Sequence, residues 1–321
     1  MLRVVLAALA LVCVTAGDVP AQDYPVRPVK ILVPTSPGGF ADTLARALAS
    51  HLSKATGQQF YVENRGGAAN IIGIESVVQS PADGYTLLLG AGTITINQAI
   101  YKKLPFDVLR DLTPITQLVS VPNVLVVHPA QPFATLAQFI AAAKQKPGQL
   151  NYGSAGVGSN LHLSMEQLKT MAGIDVVHVP YKGVGPAMSD LLGGHLVSMM
   201  SNLASAKPHL DSGKLRALGV TSRNRSPAAP DVPSIAESGI AGYEALNWFG
   251  LFAAAGTPAP IIARISAETT GFLALPDTRQ RLAHEGAVPV GSNPAEFAVF
   301  VRDEIKKWDA VARAAHIQPV E

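Results

Sequence analysis

The chain has 321 residues, 48% of them hydrophobic and 15% charged, with 25 lysines and arginines against 23 aspartates and glutamates for a formal net charge of +2. Near-neutral charge excludes bulk electrostatic capture of nucleic acid or anionic membrane, and the apolar content excludes disorder of the chain as a whole. A length near twice the usual ~150-residue domain predicts two domains.

In chain order, Met1 to Ala21 reads as an export signal. Arg3 supplies the positive start and Val4 to Val14 an apolar stretch. That stretch of about eleven residues is too short to span a bilayer, which takes about 20. Val14-Thr15-Ala16 and Val19-Pro20-Ala21 both fit a cleavage site. Cys13 is the only cysteine, and Val12 before it is not the small residue that lipid attachment wants. The mature chain then holds no disulfide, and no second long apolar run follows. A cleaved signal predicts a mature protein outside the cytoplasm.

After the signal, short apolar strands alternate with amphipathic helices. Strands are predicted at Val29 to Val33, Phe60 to Val62, Thr86 to Leu89, Val124 to Val127, Val176 to Val179 and Ala217 to Thr221. A helix carries Leu44, Leu48 and Leu52 on one face. Thr135 caps another with Leu136, Phe139 and Ile140, ended by Pro147-Gly148. The last helix opens on Asn293-Pro294-Ala295-Glu296, an N-cap, an N1 proline and an N3 glutamate. Phe297, Phe300, Val301, Ile305, Trp308 and Val311 follow at helical spacing and read as core. This alternation predicts an α/β fold of parallel sheets covered by helices. Two lobes joined by strand-like crossings at Val121 to Pro129 and Asn247 to Ala255 fit better than separate beads.

Chemistry is sparse. The eight histidines form no HExxH pair, and CxxC, GxSxG and Walker A motifs are all missing, so no cofactor and no metal site is expected. The best enzymatic candidate is His162, one helical turn after Ser159, and its ordinary reading is a polar residue near a helix start. Two glycine-rich turns between a strand and a helix remain. The first is Val33-Pro34-Thr35-Ser36-Pro37-Gly38-Gly39-Phe40-Ala41-Asp42. The second is Tyr152-Gly153-Ser154-Ala155-Gly156-Val157-Gly158-Ser159, leading into a helix that buries Leu161, Met165 and Leu168. Glycines let a backbone approach a ligand, and a helix start offers unpaired N–H groups with partial positive charge. Such a turn takes a carboxylate or phosphate without a cationic side chain. Either is equally an ordinary strand–helix turn. A dinucleotide reading fails on spacing, since Gly153, Gly156 and Gly158 run G-x-x-G-x-G.

The mature chain resembles the Bug-type substrate-binding proteins of tripartite tricarboxylate transporters. The motifs run from Tyr24-Pro25-Val26-Arg27-Pro28-Val29 through Pro37-Gly38-Gly39, Glu63-Asn64-Arg65-Gly66-Gly67-Ala68 and Asp83-Gly84-Tyr85-Thr86-Leu87-Leu88. Pro122-Asn123-Val124-Leu125-Val126-Val127, Tyr152-Gly153-Ser154, His178-Val179-Pro180-Tyr181-Lys182-Gly183 and Gly213-Lys214-Leu215-Arg216-Ala217-Leu218 continue the series, which Asp231-Val232-Pro233, Gly242-Tyr243-Glu244 and Gly256-Thr257-Pro258 close. The resemblance implies a two-lobed periplasmic binding protein (type II-like), each lobe a sheet flanked by helices, with two hinge crossings. Residues 22–124 and 248–321 would form lobe I, and 125–247 lobe II. It implies a non-enzymatic, monomeric receptor that grips a small carboxylate between the lobes and passes it to membrane permease subunits. A receptor for a membrane sensor would look the same, and a secreted hydrolase is the remaining alternative. Ligand contacts carried over are Thr35, Ser36, Gly38, Gly39, Ala41 and Asp42 from lobe I, and Ser154, Gly158, Ser159 and Tyr181 from lobe II. Asp42 reads equally as a solvent-facing first-turn acid, and Tyr181 as a packing residue. The chain departs from the pattern at Thr35, where many members carry an aromatic residue, and at Gly66, where proline is usual. It also departs at Ser201, where many carry an acid. Ser201 in that place points to a non-amino carboxylate, a di- or tricarboxylate or an aromatic acid.

Overall fold

A computed structural model describes residues 24–181, 183–317 and 319; the export signal read at 1–21 and Lys182 lie outside them. The elements begin with β1 (Val29–Val33), α1 (Phe40–Thr56), β2 (Phe60–Asn64), a 3-10 turn (Ala68–Asn70), α2 (Ile71–Val78), β3 (Thr86–Ala91), α3 (Thr93–Ile100), α4 (Val108–Asp111) and β4 (Leu112–Val127). They continue with α5 (Leu136–Gln145), β5 (Asn151–Ser154), α6 (Asn160–Ala172), β6 (Val177–Pro180), α7 (Val184–Leu192), β7 (Ser198–Asn202), α8 (Leu203–Asp211) and β8 (Arg216–Val220). The chain closes with β9 (Leu246–Ala254), α9 (Ala259–Ala274), α10 (Pro276–His284), β10 (Val288–Pro289) and α11 (Pro294–Ala314).

The strands assemble into two halves that share β4. Residues 112–122 of β4 pair with β9, and β1, β2 and β3 extend that half; residues 123–127 pair with β7 and β8, and β5 and β6 extend the other. The expectation of parallel sheets holds within each half and is corrected where the halves meet. β1, β2 and β3 are parallel, as are β5, β6 and β7, but β9 runs antiparallel to both β3 and β4, and β4 antiparallel to β7. The reason is the path of the chain. A strand that carries it from one half to the other needs a second strand to bring it back, and the return runs opposite.

Strand sequences follow from burial on both faces. In β1, Ile31 and Val33 face one apolar cluster with α1 and α9, while Leu32 faces another with α2 and α11. In β3, Leu87 and Leu89 divide from Leu88 in the same way. Alternate residues of a strand point to opposite faces, so a sheet covered twice reads as an unbroken apolar run. A third cluster fills the other half, from Val124 to Val127 of β4 through Tyr152, Leu161, Met165 and Leu168. Each large side chain so buried stabilises the fold by about 1.5–3 kcal/mol.

Helix ends obey their local chemistry. Thr135 caps α5 by accepting from Gln138 N–H, and Asn293 and Glu296 form a reciprocal capping box at α11. α11 then serves both halves. Phe297 and Val301 pack with Trp248 and Phe252, whereas Trp308 and Ala312 belong to the cluster of the other half. Glu304, 6% exposed between them, accepts from the indole N–H of Trp248 at 3.1 Å and of Trp308 at 2.9 Å. Among the described residues no helix is long and apolar enough to cross a membrane.

Candidate functional site

Strand register places the two glycine-rich turns. β1 and β3 run in the same direction as β4, because β3 and β4 are both antiparallel to β9. The end of β3, Ala91, is level with Phe249 and hence with Val119 of β4. In the other half β5 and β7 run against β4; Asn202 pairs with Asn123, and Gly153 with Met199. Both turns therefore leave the carboxyl ends of strands aimed from opposite sides at the point where β4 changes partners, Pro122–Asn123. The carboxyl ends of strands at such a switch are where open α/β sheets place ligands.

The first turn is built to offer backbone. Ser36, Pro37, Gly38 and Gly39 are exposed. Gly39, the N-cap of α1, supplies no side-chain acceptor, so the first-turn amides of the helix are uncapped and carry the positive end of its dipole. Gly38 has φ +87°, a conformation natural to glycine. The turn is braced from below. Gly38 N–H donates to Oδ2 of Asp42 at 3.0 Å, Arg46 pairs with Asp42 at 2.9 Å, and Arg46 also reaches Asn64, whose amide donates to Thr35 O at 3.2 Å. Asp42 is 4% exposed and Ala41 7%. The solvent-facing reading of Asp42 is thereby corrected: its carboxylate closes the turn on itself, and the hydrogen bond from Arg46 holds it below the usual carboxylate range.

The second turn leans on its own hydroxyls. Ser159 is the N-cap of α6 and accepts from His162 N–H at 3.2 Å. Ser154, with no exposed surface, lies 2.7 Å from Nε2 of His178 and exchanges hydrogen bonds with the Gly156 backbone. Its hydroxyl is engaged in shaping the turn. Tyr181, half-buried, donates to Asp190 at 2.6 Å, and that bond to a carboxylate pushes its phenol up to about 12. Ser201 has no exposed surface either; on β7 it pairs with Val124 and its hydroxyl turns back to Asn202 O at 3.3 Å. Discrimination between ligands is not assigned to a hydroxyl so enclosed.

Other residues, among them Asn97, Ile100 and Asn160 outside the quoted motifs, complete the surroundings of the site. The loop after β2 lies against the first turn at Gly66, and α3 bridges onward. Asn97 donates to Ala69 O at 2.8 Å, and Ile100 packs against Gly158. At the switch, the Asn123 amide donates to Asn160 Oδ1 at 2.6 Å, and Asn160 donates to Leu246 O at 3.2 Å. Asn160, the residue after Ser159, thus ties the second turn to both crossings. Asn123 and Gly66 stand in motifs quoted above, whereas Asn97, Ile100 and Asn160 have no local signal.

The arrangement suits an uncharged grip on an anion. Arg46, the cation beside the first turn, is engaged by Asp42 and Asn64. Among the described residues no cluster of His, Cys, Asp and Glu is placed to hold a metal ion. Ser159 and His162 do not form a nucleophile–base pair, since the imidazole of His162 accepts from Gly158 N–H at 3.3 Å and stacks on His178.

Comparison with known proteins identifies the family. The model of the tripartite tricarboxylate transporter family receptor matches residues 44–317. BugT of Bordetella pertussis is 37% identical over 313 residues, covering 96% of this chain and 96% of BugT. An R. palustris protein solved with adipate superposes with a TM-score of 0.83 at 38% identity, over 92% of this chain and 100% of its own. MatC from Rhodopseudomonas palustris, solved with bound malate, gives 0.78 at 33% identity, over 90% and 99%. The chain is thus a solute-binding receptor rather than an enzyme, and it belongs to the tripartite tricarboxylate transporter receptor family of periplasmic binding proteins.

Proposed function

We propose that this receptor captures a small carboxylate between the two glycine-rich turns and delivers it to the permease subunits of a tripartite tricarboxylate transporter. The observation that carries the reading is the uncapped, exposed start of α1, set on strand ends that converge with those of the second turn. Contacts would come from Thr35, Ser36, Gly39 and the first amides of α1 on one side and from Ser159 on the other, with Gly158 and Tyr181, whose donors go to His162 and Asp190, shaping the second turn. Asp42 and Ser154 would hold the turns in shape. Residues 22–124 with 248–321, and 125–247, would close as two lobes of a monomer about β4 and β9. Several charge-assisted hydrogen bonds in a closed cleft suffice for micromolar affinity, about 8 kcal/mol. The adipate and malate held by the two structural relatives place dicarboxylates first on the test panel.

The test is calorimetric titration and thermal shift with adipate, malate, succinate, citrate, benzoate, aspartate and glutamate. Binding at a hundredfold excess over Kd stabilises by about 2.7 kcal/mol. Recovery of the ligand unchanged and a raised melting temperature are expected with at least one member. No stabilisation by any of them would defeat the proposal.

A further inference from the structure

Beneath the second turn three rings form one stack. Tyr152 of β5 lies on His178 of β6 with centroids 4.9 Å apart, and His178 lies on His162 of α6 at 4.1 Å, each pair inclined by 20°. Both histidines touch the turn. Gly158 N–H donates to Nδ1 of His162, and Nε2 of His178 meets Ser154 Oγ. Ser154 Oγ accepts from Gly156 N–H at 3.1 Å, and its one proton is shared between Gly156 O at 3.2 Å and Nε2 of His178 at 2.7 Å, so this contact is compatible with either neutral tautomer of His178. His162 accepts at Nδ1, which must carry no proton, leaving its hydrogen on Nε2 and the ring neutral.

The charged neighbours leave that neutrality undisturbed. Glu166 of α6 accepts from the Tyr152 hydroxyl at 2.6 Å and from Lys169 at 2.7 Å, and the Lys169 ammonium lies 5.7 Å from the Tyr152 ring. Among the described residues neither imidazole is ion-paired to a carboxylate. Burial, with Lys169 nearby, lowers His162 to about 4. Burial, with His162 alongside, lowers His178 to about 4 despite Glu166.

We propose that His162 and His178 are positioning residues for ligand capture: a neutral pair, with the His162 proton on Nε2, that holds Gly156–Ser159 in its anion-receiving shape, and that lets the turn go when Nδ1 of His162 takes a proton. The inference rests on the carboxylate-capture reading above. A neutral acceptor suits the task, because it orders the turn's amides without placing a fixed cation beside them that would bind the ligand's charge itself.

The wild-type protein decides the first half of the test. Long-range proton–nitrogen spectra from pH 7.5 to 3.5 should show His162 unprotonated at Nδ1 down to about pH 5, against about 6.5 for a free imidazole. The protection of the Gly158 amide, its exchange rate set against the intrinsic rate at each pH, should fall in step with that titration. A proton on Nδ1 at pH 7, or titration at the ordinary value, overturns the proposal. Two variants give the second half at pH 7 with adipate as probe. His162→Asn keeps an acceptor that does not titrate and should bind within about threefold of wild type, while His162→Leu should bind about tenfold more weakly and exchange Gly158 faster. Equal exchange and affinity in His162→Leu would also overturn it, and the wild-type spectra still decide if that variant does not fold. Exchange at Gly158 needs no ligand, so a wild type that binds no carboxylate defeats the capture reading while the latch is still measured.

Discussion

Gly158 joins backbone strain to a contact with α3, and a double-mutant cycle separates the two. Its φ is +76°, and a Cβ there would fall well inside contact distance of Cδ1 of Ile100, itself 3% exposed. Gly158→Ala should therefore cost about 1–2 kcal/mol for the left-handed backbone, and about 1–3 kcal/mol more for forcing a methyl into packed surroundings. Ile100→Val deletes the obstructing atom at about 0.5–1.5 kcal/mol. In that background Gly158→Ala should cost only the backbone part. The cycle predicts a coupling of about 1–3 kcal/mol, with the double variant less damaged than the sum of the single ones. Urea denaturation of the four proteins at pH 7 measures it, and adipate titration of each adds a functional reading. Both proteins carrying Gly158→Ala should bind adipate more weakly, because a shifted φ re-aims the turn's amides. Costs that add to within about 0.5 kcal/mol would refute the Ile100 contact, and unchanged affinity would remove Gly158 from the site.

The other predictions concern acid, the brace of the first turn and the joint between the halves. Because His162 binds its proton near 6.5 when unfolded and at about 4 when folded, the unfolded chain holds more protons between those values. Stability should be level above about pH 6.5 and fall as pH drops toward 4, with about 2 kcal/mol from His162 alone lost between pH 7 and 5. A wild-type urea midpoint that is the same at pH 5 and 7 would contradict this, and His162→Asn should flatten the slope. Asp42→Ala removes the acceptor for Gly38 and should cost about 1 kcal/mol while weakening adipate binding; a variant with wild-type affinity would show that the brace is not needed. Glu304→Ala leaves two buried indoles without an acceptor and should destabilise by about 2–5 kcal/mol, with Glu304→Gln milder; thermal melting checks it, and equal melting points would speak against the shared bond. The chain's two tryptophans meet at that carboxylate between the halves, so adipate should change their emission, and bound ligand with unaltered fluorescence would argue against lobe closure.

Much of this molecule is written locally. β1 occupies the five residues its apolar run marks, Thr135 and the Asn293–Glu296 box begin the helices they were read to begin, and Leu161, Met165 and Leu168 are buried as their spacing requires. Strand, cap and amphipathic face each depend on neighbours a few residues away, which is why one sequence exposes them. Both glycine-rich turns were visible for the same reason, since a glycine between strand and helix has a local cause. What the tertiary structure decided is everything that depends on residues distant in the chain. The antiparallel course of β9 was hidden, because an apolar strand carries no mark of its direction. Whether Ser154, Asp42 and Ser201 offer their polar atoms to a ligand or to the fold depended on partners as far off as His178, Arg46 and the β4 ladder. Hydrogen-bond capacity is a property of the residue, but its availability is set by what packs around it, and only folding brings those neighbours together.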